Sequence, residues 1–226
     1  MSGPRQNAAA GAAAAAAFAV VAALVVTGAL TAVDQYAADH WTAHLQVVRG
    51  SSSALGSIRL YPRLGNTVQV FCNLWTYPAS PLCSSLLLLG GCGVLYRRGR
   101  RAAAVAWPLA WVLANAVELL GKSVLARPVL HLGGAPLHAF DSSFPSGHTV
   151  RAVLLVALLA TLWRRAAVVA LPWLVVTLPA LVVNGGHTPT DVLGGVLLAA
   201  AAAFAVRAWL ARAAPARLAY ATATLR

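Results

Sequence analysis

Long apolar runs separated by short polar punctuation are the first feature of this chain. They cover residues 11–33, 66–96, 102–120, 148–163, 166–183 and 190–210. At about 1.5 Å of rise per residue, runs of this length match the hydrocarbon core of a bilayer, so each is read as a membrane helix. The pattern predicts an all-α polytopic membrane protein: one domain over residues 1–226, with six transmembrane helices. The first run is alanine-rich, but its valines and leucines make it a spanning helix and not a signal peptide. Pro78 and Pro81 are expected to kink or divide the second. Residues 34–65 form the longest polar stretch and read as an interfacial amphipathic loop. His40 and His44 share a helical face there, without an evident third metal ligand.

Composition narrows the class. Hydrophobic residues make up 60% of the chain and charged residues only 10%, with a mean hydropathy of +0.74, which excludes a soluble domain. A net charge of +12 does not imply nucleic acid, because the arginines cluster beside apolar runs. Arg5, the Arg97–Arg101 cluster, Arg164, Arg165, Arg207, Arg212 and Arg217 all fall on one side of a six-span topology. The positive-inside rule makes that side, with both termini, cytoplasmic. The outer side then receives the 34–65 loop, the stretch from Lys122 to Phe144 and the turn from Asn184 to Pro189. Cys72, Cys83 and Cys92 lie in or near one apolar segment and read as packing residues.

Two histidine-bearing stretches on that outer side carry the chemistry. In Phe144-Pro-Ser-Gly-His-Thr149, a proline, a capping serine and a glycine precede an apolar run. They predict a helix start whose free N–H groups and dipole favour an anion, with His148 in the first turn. In His187-Thr-Pro-Thr-Asp191, the acid lies about one turn from the histidine and can orient its imidazole, although an acid at a helix start also serves as a cap. Gly185 and Gly186 permit a tight turn before it. Lys122 and Arg127, at the outer end of the third run, offer two cations, with Glu118 placed to pair with Lys122. Arg151 sits one turn beyond His148, where an unpaired guanidinium would be costly.

Together these elements resemble the type 2 phosphatidic acid phosphatases, or lipid phosphate phosphatases, six-helix membrane enzymes related to the soluble vanadium haloperoxidases; the bacterial membrane branch is the nearest likeness. The similarity runs from about Glu118 to Gly195. The Pro-Ser-Gly-His element is complete at Pro145–His148, and His187 and Asp191 keep the spacing of the third element. Arg127-Pro128 stands two residues earlier than the family pattern. Ala180 and Leu181 occupy the places of a Ser-Arg pair, and Arg151 is the candidate to supply the missing guanidinium.

The resemblance implies a phosphohistidine at His187, orientation by Asp191 and proton transfer by His148. It also implies phosphate binding by Lys122, Arg127, Ser146 and the Gly147 N–H. No metal or cofactor is implied. The expected activity is hydrolysis of a lipid phosphomonoester or diphosphate, such as a polyprenyl phosphate or a related envelope lipid, at the outer face of the cell membrane. The expected partners are the bilayer and that lipid. A phosphotransferase with the same histidine chemistry is the alternative, followed by a weakened lipid-binding or assembly protein and lastly a vanadate-dependent oxidase. His131, His138 and Asp141 read as loop residues without an assigned role.

Overall fold

The computed structural model describes the backbone of residues 3–42, 45–46, 59–60, 65–132, 134–163 and 165–223, and side-chain surroundings for 3–42, 70–132, 134–163 and 165–213. His44, Arg49, Arg63 and Arg164 lie outside the described residues, as does the side chain of Arg217.

Pro4 opens the first helix, α1 (Pro4–Val26), and the Gln6 side chain accepts the Gly3 N–H at 3.0 Å. The helix ends sooner than hydropathy implies. Gly28 takes a φ of +78° and turns the chain into a second helix, α2 (Thr31–His40). The expected 11–33 span is therefore α1, a turn, and the start of α2, because a left-handed glycine ends a helix without changing local hydropathy. Two residue pairs follow as an antiparallel ladder, β1 (Leu45–Gln46) with β2 (Arg59–Leu60).

The second apolar run is divided, as its prolines predict. α3 (Gly65–Thr76) passes through a 3₁₀ turn at Tyr77–Ala79 into α4 (Pro81–Arg97), with a bend of 42°. α5 (Arg101–Val124) carries Glu118 and Lys122 in its last two turns. A short hairpin, β3 (His131–Leu132) with β4 (Ala135–Pro136), then leads through a 3₁₀ turn at His138–Phe140 to α6 (Gly147–Leu162). α7 (Ala166–Val183) and α8 (Pro189–Ala223) complete the order.

By length and composition, four helices among the described residues can cross a membrane: α1, α5, α7 and α8. The bent α3–α4 pair makes a fifth if taken as one span. α6 has 16 residues, about 24 Å of helix. It is the centre of the bundle, touching α4, α5, α7 and α8, with Val150, Ala152, Leu154 and Leu158 at most 2% exposed. The outward faces are apolar instead: Leu109, Leu113, Val168 and Val169 are each more than half exposed, as lipid-facing residues should be.

Small residues set the closest helix approaches. α1 lies along α8, where a Cβ on Gly11 would come within 3.3 Å of the Phe204 side chain. At one end of the bundle, Arg98 donates to the Leu162 carbonyl and Arg100 to the Thr161 carbonyl, closing the last turn of α6 with positive charge. Arg98 also lies over the Trp163 ring. Cys72 and Cys92 are buried, and all three cysteines are free.

Candidate active site

The opposite end of α6 is built from polar residues. Ser146 caps the helix: its hydroxyl accepts the Thr149 N–H at 3.3 Å and the Thr149 hydroxyl at 3.0 Å. The Ser146 N–H donates to the Asp191 carbonyl at 2.9 Å, so the two histidine stretches are joined backbone to backbone. Glycines make the approach possible. A Cβ on Gly195 would sit 2.7 Å from both the Ser146 oxygen and the Thr149 Cβ, and one on Gly194 would strike the Phe144 ring. A Cβ on Gly147 would meet the Glu118 carboxylate and Arg151.

His187 is presented by the turn after α7. Gly185 takes a φ of +69°, and the N–H groups of Gly186 and His187 both return to the Leu181 carbonyl. Thr188 and Asp191 then form a reciprocal cap at the start of α8. The Thr188 N–H donates to Asp191 Oδ2 at 2.8 Å, and the Asp191 N–H reaches the Thr188 hydroxyl at 3.4 Å. Ser143 donates to the same Oδ2 at 2.7 Å. Capping is thus the role that these hydrogen bonds give the carboxylate. His187 Nδ1 lies 3.7 Å from Asp191 Oδ2, too far for a hydrogen bond, and this buried nitrogen has no other partner. The His148 ring stands 6.1 Å from the His187 ring, tilted by 59°.

The cations take three different positions. Lys122 pairs with buried Glu118 and keeps about a third of its side chain exposed. The Glu118 carboxylate that holds Lys122 lies against Gly147, the residue before His148, as does the Arg151 guanidinium. Arg151 is buried; its Nε donates to the Ala79 carbonyl at 2.8 Å and its Nη1 to Asn115 Oδ1 at 3.1 Å. That carbonyl belongs to the break between α3 and α4, where an exposed backbone group in the membrane would be costly. Arg127 is 2% exposed and held between two carboxylates, Asp34 and Asp191.

The structure therefore brings His148, His187, Asp191, Ser146 and Gly147 into one cluster at one end of the bundle, with Lys122 beside it. It places Arg127 behind Asp191, and Arg151 on the Glu118 side of Gly147. Ser143, Thr188, Thr190 and Asp34 also belong to this end of the bundle, and sequence reasoning assigned none of them a role. Asp34 had one available signal, being among only five acidic residues in the chain. His138 pairs with Asp141 on the surface, and the His131 backbone bonds the Gln35 side chain. Among the described residues no group of three His, Cys, Asp or Glu side chains is arranged to hold a metal ion.

Below this end, an open groove of about 460 Å³ runs between α5 and α8. Its walls include Leu109, Leu113 and Val117 on one side and Leu198, Ala202 and Trp209 on the other. Val117 and Leu198 stand within about two helical turns of Lys122 and Asp191 along their own helices.

A family model described as the PAP2 superfamily matches residues 6–215. No curated protein sequence matches the chain. Among solved structures, a transmembrane PAP2 type phosphatidylglycerolphosphate phosphatase from Bacillus subtilis is similar in fold. Its TM-score is 0.61 at 18% identity, covering 88% of this chain and 95% of that one.

Proposed function

The chain belongs to the PAP2 superfamily, and from that premise we propose that it is a membrane lipid phosphatase working through a phosphohistidine. The observation that carries the reading is the pair of imidazoles with ring centres 6.1 Å apart, one of them backed by Asp191. Rings this close can both reach one phosphoryl group, one through its phosphorus and the other through the leaving oxygen. His187 Nε2 attacks phosphorus while the bond to the lipid oxygen breaks, and His148 gives that oxygen its proton. Water, losing a proton to His148, then displaces phosphate from His187. Lys122 and the first-turn N–H groups of α6, including that of Gly147, offset the charge that builds on the phosphoryl oxygens, and buried Arg151 adds a fixed positive charge behind them. Ser146 holds that turn in place through its cap.

The apolar groove between α5 and α8 supports a lipid chain as the remainder of the substrate. Candidate headgroups are polyprenyl mono- or diphosphates and phosphorylated glycerolipids, including phosphatidylglycerolphosphate, the compound named for the similar structure. Phosphate release by the detergent-purified protein, measured against these lipids in the presence of chelator, is expected for at least one of them. Release seen only when an acceptor alcohol is supplied would make the protein a transferase. No release under either condition would remove the enzymatic reading.

We also propose a single domain with six spans, α6 being the short central one, and the arginine-rich end and both termini in the cytoplasm. The active site then faces outward. The support is the distribution of charge: Arg98 and Arg100 close the end of α6 opposite His148. Ser142 is exposed beside the site and offers a test. With Cys72, Cys83 and Cys92 replaced by alanine, Ser142→Cys in intact cells should react with an impermeant maleimide and Gly99→Cys should not. The reverse labelling would invert the topology.

A further inference from the structure

Arg127 has few donors left for a ligand. Its Nη1 donates to Asp191 Oδ1 and to the Thr188 hydroxyl, both at 3.0 Å, and lies 3.5 Å from the Ser143 hydroxyl. Its Nη2 binds Asp34 Oδ2, and its Nε is buried out of reach of solvent. A side chain only 2% exposed offers almost no surface to a phosphoryl group.

Asp34 is equally committed. It is 1% exposed, accepts the Thr190 N–H at 3.1 Å through Oδ1, and takes the Thr190 hydroxyl at 2.6 Å together with Arg127 through Oδ2. It thus binds the positive first turn of α8, the turn that presents Asp191, and the guanidinium that holds Asp191. Two buried carboxylates this close are tolerable because one cation lies between them. The surroundings lock the arrangement. Pro128 packs against the Gly28 turn, and the Gln35 side chain bonds the His131 backbone, docking the loop after α5 onto α1 and α2.

We propose that Arg127 is a positioning residue and not a phosphate ligand, and that Asp34 on α2 acts with it to fix the Asp191 carboxylate behind His187. The inference rests on the phosphatase reading above and adds α2 to the working parts of the site. The loss of either partner lets the Asp191 carboxylate rotate, so the imidazole loses its orientation while the phosphate cradle at Lys122 and α6 stays intact.

The test separates kcat from KM on whichever lipid phosphate the wild type hydrolyses, with orthovanadate as a phosphate-like probe of binding. Asp34→Asn and Arg127→Met are expected to lower kcat by about 10²-fold, the cost of a misplaced reacting group. KM and vanadate inhibition should stay within about twofold, since ground-state binding is untouched. A tenfold or greater rise in KM or in the vanadate constant for Arg127→Met, with kcat retained, would overturn the proposal. Thr190→Val guards against misfolding. It removes one O–H bond to Asp34, keeps both charges, and should lower kcat several-fold at constant KM; an unchanged kcat counts against the proposal. If wild-type protein releases no phosphate at all, the phosphatase reading fails separately. Vanadate-induced thermal stabilisation then decides the present inference: retained in Arg127→Met it supports positioning, and lost it shows a phosphate ligand.

Discussion

His187→Ala is expected to reduce phosphate release by at least ~10⁴-fold, to the level left by binding and the helix N-terminus alone. The size follows from where the residue stands. His187 has one ring nitrogen on the Asp191 side and its ring 6.1 Å from that of His148, so on the proposed mechanism its removal deletes the attacking atom. The neighbouring His148 cannot replace it, because the Asp191 carboxylate is held by Arg127, Ser143 and Thr188 on the α8 side. The variant should still bind orthovanadate and keep its melting temperature, since its Nδ1 makes no hydrogen bond that the fold relies on. Rapid acid-free quenching of the wild type with radiolabelled lipid phosphate should trap an acid-labile phosphoprotein that is missing from the variant. Residual turnover within tenfold of wild type would show that another nucleophile, or direct attack by water, does the work.

Gly195→Ala should be nearly as damaging, through packing. Helix propensity alone would make this change favourable by about 1 kcal/mol. The added carbon, however, would lie 2.7 Å from the Ser146 oxygen and 2.7 Å from the Thr149 Cβ. Neither atom is the free end of a flexible chain, so α6 must shift away from α8 at an overpacking cost of about 1–3 kcal/mol or more. That shift would stretch the Ser146–Asp191 backbone bond and separate His148 from His187. Lowered melting temperature and lost activity are therefore expected together. Gly93→Ala provides the contrast, because no atom lies within 4 Å of its added carbon and only the propensity gain remains. Equal melting temperatures for the two variants would mean that the α6–α8 junction has room that the structure does not show.

The helices were most legible where charge or proline marks their ends. α7 spans Ala166–Val183 as its apolar run predicts, and α6 differs by one residue at each end, because Ser146 supplies a cap that the sequence announces. Proline at 78 and 81 foretold the break between α3 and α4, though not that Arg151 would cover the carbonyl freed there. Hydropathy failed at Gly28, where a turn interrupts an apolar run and converts its end into α2. The histidine stretches were readable because each is local: cap, turn and imidazole fall within six residues. Asp34 was not readable for the opposite reason. It lies 93 positions from Arg127 and 156 from Thr190, and only tertiary packing brings them together. Once α2 is in place, the family-pattern shift at Arg127-Pro128 becomes intelligible, since Pro128 meets the Gly28 turn and Arg127 meets Asp34.

Charges around the two histidines cancel. Asp34, Glu118 and Asp191 stand against Lys122, Arg127 and Arg151, so a strongly basic protein keeps an electrically balanced centre. Such a centre exerts little pull on a distant anion, because opposed charges a few ångströms apart nearly extinguish one another's field beyond a Debye length. Discrimination then rests on arrival and not on attraction. On the proposed phosphatase reading, a soluble phosphate ester gains little from long-range steering by this centre, whereas a molecule already confined to the bilayer plane meets the α5–α8 groove by lateral diffusion. Neutrality at the reacting end and an apolar wall beneath it would together reserve the histidines for substrates that carry a hydrocarbon tail.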